Sequence, residues 1–228
     1  MLKKILILVA LLLGFTARAG EPFFCVTPNR TLYYERYKAG TKTLVQSTTM
    51  EIGTVESDGA GRKAHYGLTL RKANGRAMYG GRAEQVSVIR ANGDIEVDFA
   101  ASVTSILKNY FPNAKYTSGG DIAVLPADIK PGDTMPDVHC VVTIAGISVH
   151  VDVTDRQVLR RETITTPAGT YDCLVVRAHK VEDAPIHHKD SWSDTWYAPG
   201  LGYVRHDSYD KKLNLLTSEL LLSVTPAK

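Results

Sequence analysis

The 228 residues contain no Gly-x-Ser-x-Gly elbow, no His-Glu-x-x-His pair and no phosphate-binding glycine loop. The commonest signatures of serine hydrolases, zinc hydrolases and nucleotide-binding enzymes are therefore missing. Cysteine is scarce. Cys25, Cys140 and Cys173 are the only three, and no Cys-x-x-Cys occurs, which argues against a thiol–disulfide oxidoreductase. Basic clusters are missing too: Arg160-Arg161 and Lys211-Lys212 are pairs and not patches, so no nucleic-acid partner is expected. Beyond Phe15 no apolar run is long enough to cross a bilayer as a helix.

The N-terminus reads as a secretory signal peptide. Met1-Leu2-Lys3-Lys4 is a short basic region, Ile5 to Phe15 is apolar apart from Gly14, and Ala17-Arg18-Ala19 offers the small residues a signal peptidase reads. Cleavage is expected after Ala19, leaving residues 20–228 as a single β-rich domain, periplasmic or secreted and without a transmembrane segment. A lipid anchor is not expected, because Cys25 follows Pro22-Phe23-Phe24 and not a small residue. Residues 1–19 hold Lys3, Lys4 and Arg18 and no acid, so the remaining chain carries 24 bases against 24 acids. The pI of 8.7 belongs to the uncleaved chain.

In an oxidising compartment two of the three cysteines can pair. A Cys25–Cys173 bridge would close a long loop and contribute on the order of 4–5 kcal/mol in the chain-entropy model. Cys140 alternates with Val138, Val142 and Ile144 and reads as a buried thiol on a strand. The alternative is that all three are small core residues.

Strand and turn patterns fill most of the chain. Asp58-Gly59, Asn74-Gly75 and Asn92-Gly93 are hairpin dipeptides. Around Asn92-Gly93, Val86, Val88 and Arg90 alternate with Ser87, Ile89 and Ala91, and Ile95, Val97 and Phe99 alternate with Glu96 and Asp98, a half-buried hairpin. One helix is expected from about Phe99 to Tyr110, capped by Asp98 and ended by Phe111-Pro112-Asn113. Residues 116–137, rich in Gly and Pro, read as a long connection carrying a short strand near Ile122–Leu125. Further turns are expected at Thr166-Pro167-Ala168-Gly169, Pro199-Gly200 and Asp210-Lys211-Lys212. Glu182 to Asp190 reads as a polar hairpin loop. The apolar run Leu213 to Val224, with Leu220, Leu221 and Leu222 in succession, points to burial on both faces. The fold class expected is mainly β: a single antiparallel, strongly curved sheet or partial barrel with one short helix.

Thr165-Thr166-Pro167-Ala168-Gly169-Thr170-Tyr171-Asp172-Cys173 resembles a recurrent segment of a family of secreted Gram-negative proteins catalogued as a domain of unknown function. So does Thr195-Trp196-Tyr197-Ala198-Pro199-Gly200-Leu201-Gly202-Tyr203-Val204, followed by Tyr209-Asp210-Lys211-Lys212. That family is similar in shape to the half-open curved sheet of Lol-type lipoprotein carriers. The resemblance implies fold and compartment. It brings no catalytic residues, because its motifs are turn chemistry.

Three clusters are candidate sites. Trp192 and Trp196 share a strand face, and Tyr33 and Tyr37 lie near the mature N-terminus. These aromatics are either core or the lining of a concave ligand pocket. His179, His187 and His188, with Asp183 and Asp190, offer imidazoles and carboxylates for a metal, although adjacent histidines on an extended segment cannot both face one ion. Beside His139, Cys140 suggests a thiolate–imidazole pair, but strand neighbours point to opposite faces. No acid, base and nucleophile assemble, so neither an enzyme nor a cofactor is expected. The expected role is a non-enzymatic binding or carrier protein for an apolar, lipid-like ligand. The alternative is an envelope-assembly protein that meets another envelope protein and has no small-molecule ligand.

Overall fold

The computed structural model describes residues 20–225, apart from Ile186 and the side chain of His187. The signal-peptide reading of residues 1–19 lies outside the described residues. Strands β1 (Thr31–Lys38), β2 (Leu44–Asp58), β3 (Gly61–Lys72), β4 (Ala77–Ile89) and β5 (Ile95–Asp98) come first, then helix α1 (Phe99–Tyr110). Strands β6 (Tyr116–Gly120), β7 (Ile122–Leu125), β8 (Val138–Ile144), β9 (Ile147–Thr166) and β10 (Gly169–Ala184) follow. The chain ends in β11 (His187–Ala198), β12 (Gly202–Asp210) and β13 (Leu215–Val224). All thirteen belong to one antiparallel sheet, in the order β6-β8-β9-β10-β11-β12-β13-β1-β2-β3-β4-β5-β7.

The two ends of that order, β6 and β7, are successive pieces of one segment with only Asp121 between them. Tyr116–Gly120 pairs with β8 and Ile122–Leu125 pairs with β5. Residues 116–125 therefore cross the seam, and the sheet is nearly closed into a barrel. Pairing both ends leaves little bare edge for another chain. Gly120 makes the crossing possible. Its φ is +153°, and a Cβ there would sit 2.4 Å from the His139 carbonyl oxygen. Asp121 holds the crossing from both sides, its N–H donating to the His139 carbonyl (2.9 Å) and its Oδ2 accepting from the His139 N–H (2.9 Å). The long connection expected over residues 116–137 thus contains a strand that its glycines concealed.

Helix α1 lies over this seam against β4, β5, β6 and β8. Asp98 caps it as expected, with Oδ1 accepting from Ala101 N–H at 2.8 Å. The Tyr116 hydroxyl donates to the Leu107 and Phe111 carbonyls at its C-terminal end (3.1 and 2.8 Å), and Asn109 Nδ2 donates to the Arg82 carbonyl (2.8 Å). Ala100 packs with Ala123, Val138, Cys140, Val142 and Val151 in one apolar cluster. A larger cluster, with Leu32, Tyr34, Ile52, Val158, Leu174 and Leu221, fills the other end of the barrel.

The turns at Pro167-Ala168, Asn92-Gly93 and Pro199-Gly200 fall where expected. The half-buried character expected of β4 holds: its inward face is Gln85, Ser87 and Ile89, with Val86 40% exposed, and Gln85 reaches the Ser102 carbonyl of α1 and Ser87 the Tyr66 hydroxyl. Three expectations need correction. The hairpin from Glu182 to Asp190 is paired almost to its tip, with Ala184 opposite His187. In β13 Leu221 is buried while Leu220 and Leu222 are half-buried, the ordinary alternation of a strand with one inner face. All three cysteines are buried free thiols, so the structure carries no Cys25–Cys173 bridge. Cys25 and Cys173 both pack in the larger apolar cluster as small hydrophobes.

Candidate functional site

Strand pleating gives β10, β11 and β12 two faces with opposite chemistry. On the inner face the ladder sets Val176 against Thr195, Ala178 against Ser193 and Lys180 against Ser191. Thr195 and Ser193 in turn oppose His206 and Ser208. These residues line a cavity of about 390 Å³ inside the barrel. One part of the cavity lining is apolar, formed by Phe99 of α1 with Ala123, Leu125, Met135, Val138 and Val153. Another part carries Arg36, Lys180, Lys189, His206 and Glu219. Tyr79, in the bend of β4, lies close enough to Arg36 and Glu182 to feel both charges.

Four cations and one carboxylate line this cavity: Arg36, Arg156, Lys180 and Lys189 against Glu219. Glu219 is buried and already engaged, accepting from Arg36 Nη2 at 2.8 Å and from the Thr48 hydroxyl at 2.7 Å. Arg36 Nε is buried with no hydrogen-bond partner. Lys180 pairs with Glu182 at 2.5 Å. Arg156 donates to the carbonyls of Pro136 and Val124, both at 2.9 Å, and among the described residues it has no carboxylate within ion-pair distance. Burial holds its guanidinium below the ordinary value. His206, whose Nδ1 is 2.9 Å from the Thr195 hydroxyl, is pushed down to about 4 by burial and then by the Arg36 charge. It is a neutral imidazole at pH 7.

The outer face is organised differently. Arg177 opposes Asp194 and grips it with two bonds of 2.8 Å. Arg205 grips Asp207 with bonds of 3.0 and 2.7 Å. The two carboxylates are 5% and 2% exposed beneath their arginines, and the Tyr209 hydroxyl adds a bond to Asp194 (3.3 Å). Each carboxylate holds its guanidinium above the ordinary value.

Most of the aromatics singled out in the sequence sit on this outer face. Trp196 is buried, its Nε1 donating to Glu162 (3.1 Å) with the Arg205 guanidinium 4.5 Å over its ring. Trp192 borders the cavity, yet its indole stacks on His179 (4.6 Å between centroids), on the face opposite Ser191 and Ser193. Tyr33 and Tyr37 both donate to the Glu35 carboxylate, Tyr33 at 2.9 Å, while Tyr34 between them turns inward and stacks on Tyr203 (4.4 Å). The inward residues of β1 are thus Leu32, Tyr34 and Arg36.

Among the described residues, the imidazoles and carboxylates of the proposed metal cluster pair off separately. His179 Nε2 pairs with Asp190 (2.8 Å), and His188 Nδ1 pairs with Asp183 (3.1 Å). His179 and Asp183 stand four residues apart on β10, roughly 13 Å along a strand, so no single ion reaches both pairs. The side chain of His187 lies outside the described residues. Among those described, no three His, Cys, Asp or Glu side chains are grouped to hold a metal. His139 pairs with Asp152 (2.8 Å) and turns away from buried Cys140, as the pleat requires.

The comparisons agree with the fold. An exported protein with a YmcC-like fold from Bacteroides fragilis superposes with a TM-score of 0.72 at 21% identity, over 90% of this chain and 100% of that one. A lipoprotein from Parabacteroides distasonis gives 0.72 at 19% identity, over 90% and 99%. Identities this low establish the shared fold alone. No curated protein matches the chain, and among the described residues no helix is long and apolar enough to cross a membrane. The model of the DUF3108-like family matches residues 30–221, which is most of the barrel from β1 into β13, and the chain belongs to that family.

Proposed function

We propose that this protein is a non-enzymatic binding or carrier protein of the cell envelope, holding a lipid-like ligand inside its barrel. The observation that carries the reading is the cavity of about 390 Å³, within the roughly 300–1,000 Å³ range of small-molecule sites. Part of its lining is apolar, and burying a hydrocarbon chain there is favourable by about 25 cal/mol per Å². An envelope location is supported by the signal-peptide pattern and by structural neighbours described as an exported protein and a lipoprotein. The alternative assembly role expects a filled interior and an open sheet edge, whereas the interior keeps a cavity beside its packed clusters and residues 116–125 bridge the two ends of the sheet.

The test is native mass spectrometry of the protein purified gently from an envelope fraction. A co-purifying lipid-sized mass is expected, and it is lost when the apolar part is filled by Ala123→Phe in a protein whose circular dichroism is unchanged. A clean apo mass that takes up nothing from an added lipid mixture would sink the reading.

A further inference from the structure

Charge is distributed unevenly through a chain whose residues 20–228 are balanced overall. Four cations line the cavity against two carboxylates on the inner face: Glu219, engaged by Arg36 and Thr48, and Glu182, which pairs with Lys180 and stands opposite Lys189. Cations held in a partly desolvated space without matching anions are costly. The outer face avoids this cost by pairing each arginine with an aspartate. On the inner face the countercharge is incomplete, and donor capacity remains: Arg36 Nε is buried without a partner, and Arg156 meets neutral carbonyls alone. Such a cavity concentrates anions and repels metal cations. Its cationic groups stand beside an apolar wall of Phe99, Leu125, Met135 and Val138.

Resting on the ligand-binding reading above, we infer that the cavity selects an anionic amphiphile. A single apolar chain lies against the apolar wall, and a carboxylate- or phosphate-class headgroup meets Arg36, Lys180 and Lys189. A volume near the lower end of the small-molecule range suits one chain and not a two-chain lipid. His206 stays neutral beside the headgroup and supplies a hydrogen bond rather than a charge.

The test is calorimetric titration of the delipidated protein with dodecanoate, dodecyl phosphate, dodecanol and dodecyltrimethylammonium. At least one of the two anions is expected to bind about tenfold or more tighter than dodecanol, an advantage that shrinks as salt rises. Comparing the two anions identifies the headgroup. Lys180→Gln and Arg36→Lys are expected to bring the anion-to-alcohol affinity ratio down severalfold, and Arg36→Lys keeps a cation beside Glu219 so that the fold survives. Arg90→Gln, at the exposed Arg90–Glu96 pair, is expected to leave the ratio unchanged. Equal binding of dodecanol and both anions, or tighter binding of the ammonium, would overturn the inference and leave the ligand-binding reading standing. Inorganic phosphate binding as tightly as dodecyl phosphate would overturn the amphiphile part. If no amphiphile binds the folded protein, the ligand-binding reading itself fails.

Discussion

The two faces of β10–β12 use the same residue types to opposite ends. Outside, Arg177 and Arg205 each clasp a buried aspartate through two bonds, and the carboxylates hold both guanidiniums above their ordinary values. Inside, Arg156 has carbonyl partners only and is held below its ordinary value by burial, and His206 is driven down to about 4. A cation satisfied within the protein is part of its framework. One left short of countercharge in a cavity is available to a ligand. The difference separates a structural face from a functional one without any motif.

The sharpest break of this contrast is on the outer face. Replacing Arg205 or Arg177 by Met strands a carboxylate that is nearly inaccessible to water, and a loss of about 3 kcal/mol or more is expected in urea denaturation. Acid is expected to act next, through the inner face. His206 stays neutral in the folded chain down to about pH 4 but takes up a proton near pH 6.5 once unfolded. Protons therefore favour the unfolded chain, so stability falls as pH drops from 6.5 towards 4 and levels off below. The groups around this imidazole are Thr195, Arg36, Lys180, Glu219 and Asp207. This contribution is roughly 3 kcal/mol, and His206→Gln is expected to remove it from the pH profile of the denaturation midpoint. The smallest effect is expected for Arg156→Met. It frees two carbonyls but also removes an uncompensated buried charge, so a loss of about 1–2 kcal/mol is expected, below that of the outer arginines. A loss as large as theirs would mean that Arg156 is framework after all.

Much of the backbone was legible in the sequence. Asn92-Gly93 and Pro167-Ala168 mark turns through their own torsional preferences, and Asp98 with Phe111-Pro112 bounds α1 by capping chemistry. Ile122–Leu125 stood out as an apolar run between breakers. The strand at Tyr116–Gly120 did not, because two glycines remove the side-chain alternation that reveals a strand, and its reason for being there is a distant partner, β8. The candidate site was less legible. Trp192 and Trp196 were correctly placed on one face of a strand, with Ser193 and Thr195 on the other. Large aromatics suggest an interior, and Trp196 is indeed buried with the larger apolar cluster, but the face that lines the cavity is the Ser and Thr face. Period-2 alternation distinguishes two faces and does not say which one is inside.

By itself, the sequence determined an antiparallel β architecture, its main turns, helix α1 and the absence of the common enzyme motifs. These are short-range properties, set by residues within a few positions of one another. Tertiary structure alone decided that residues 116–125 cross the seam, and that Arg36 of β1, Arg156 of β9, Lys180 of β10 and Lys189 of β11 line one cavity. It also decided which arginines found an aspartate. Those outcomes depend on closing a thirteen-stranded sheet on itself. Closure brings together side chains far apart in sequence and removes them from water, where the presence or lack of a countercharge acquires its energetic weight.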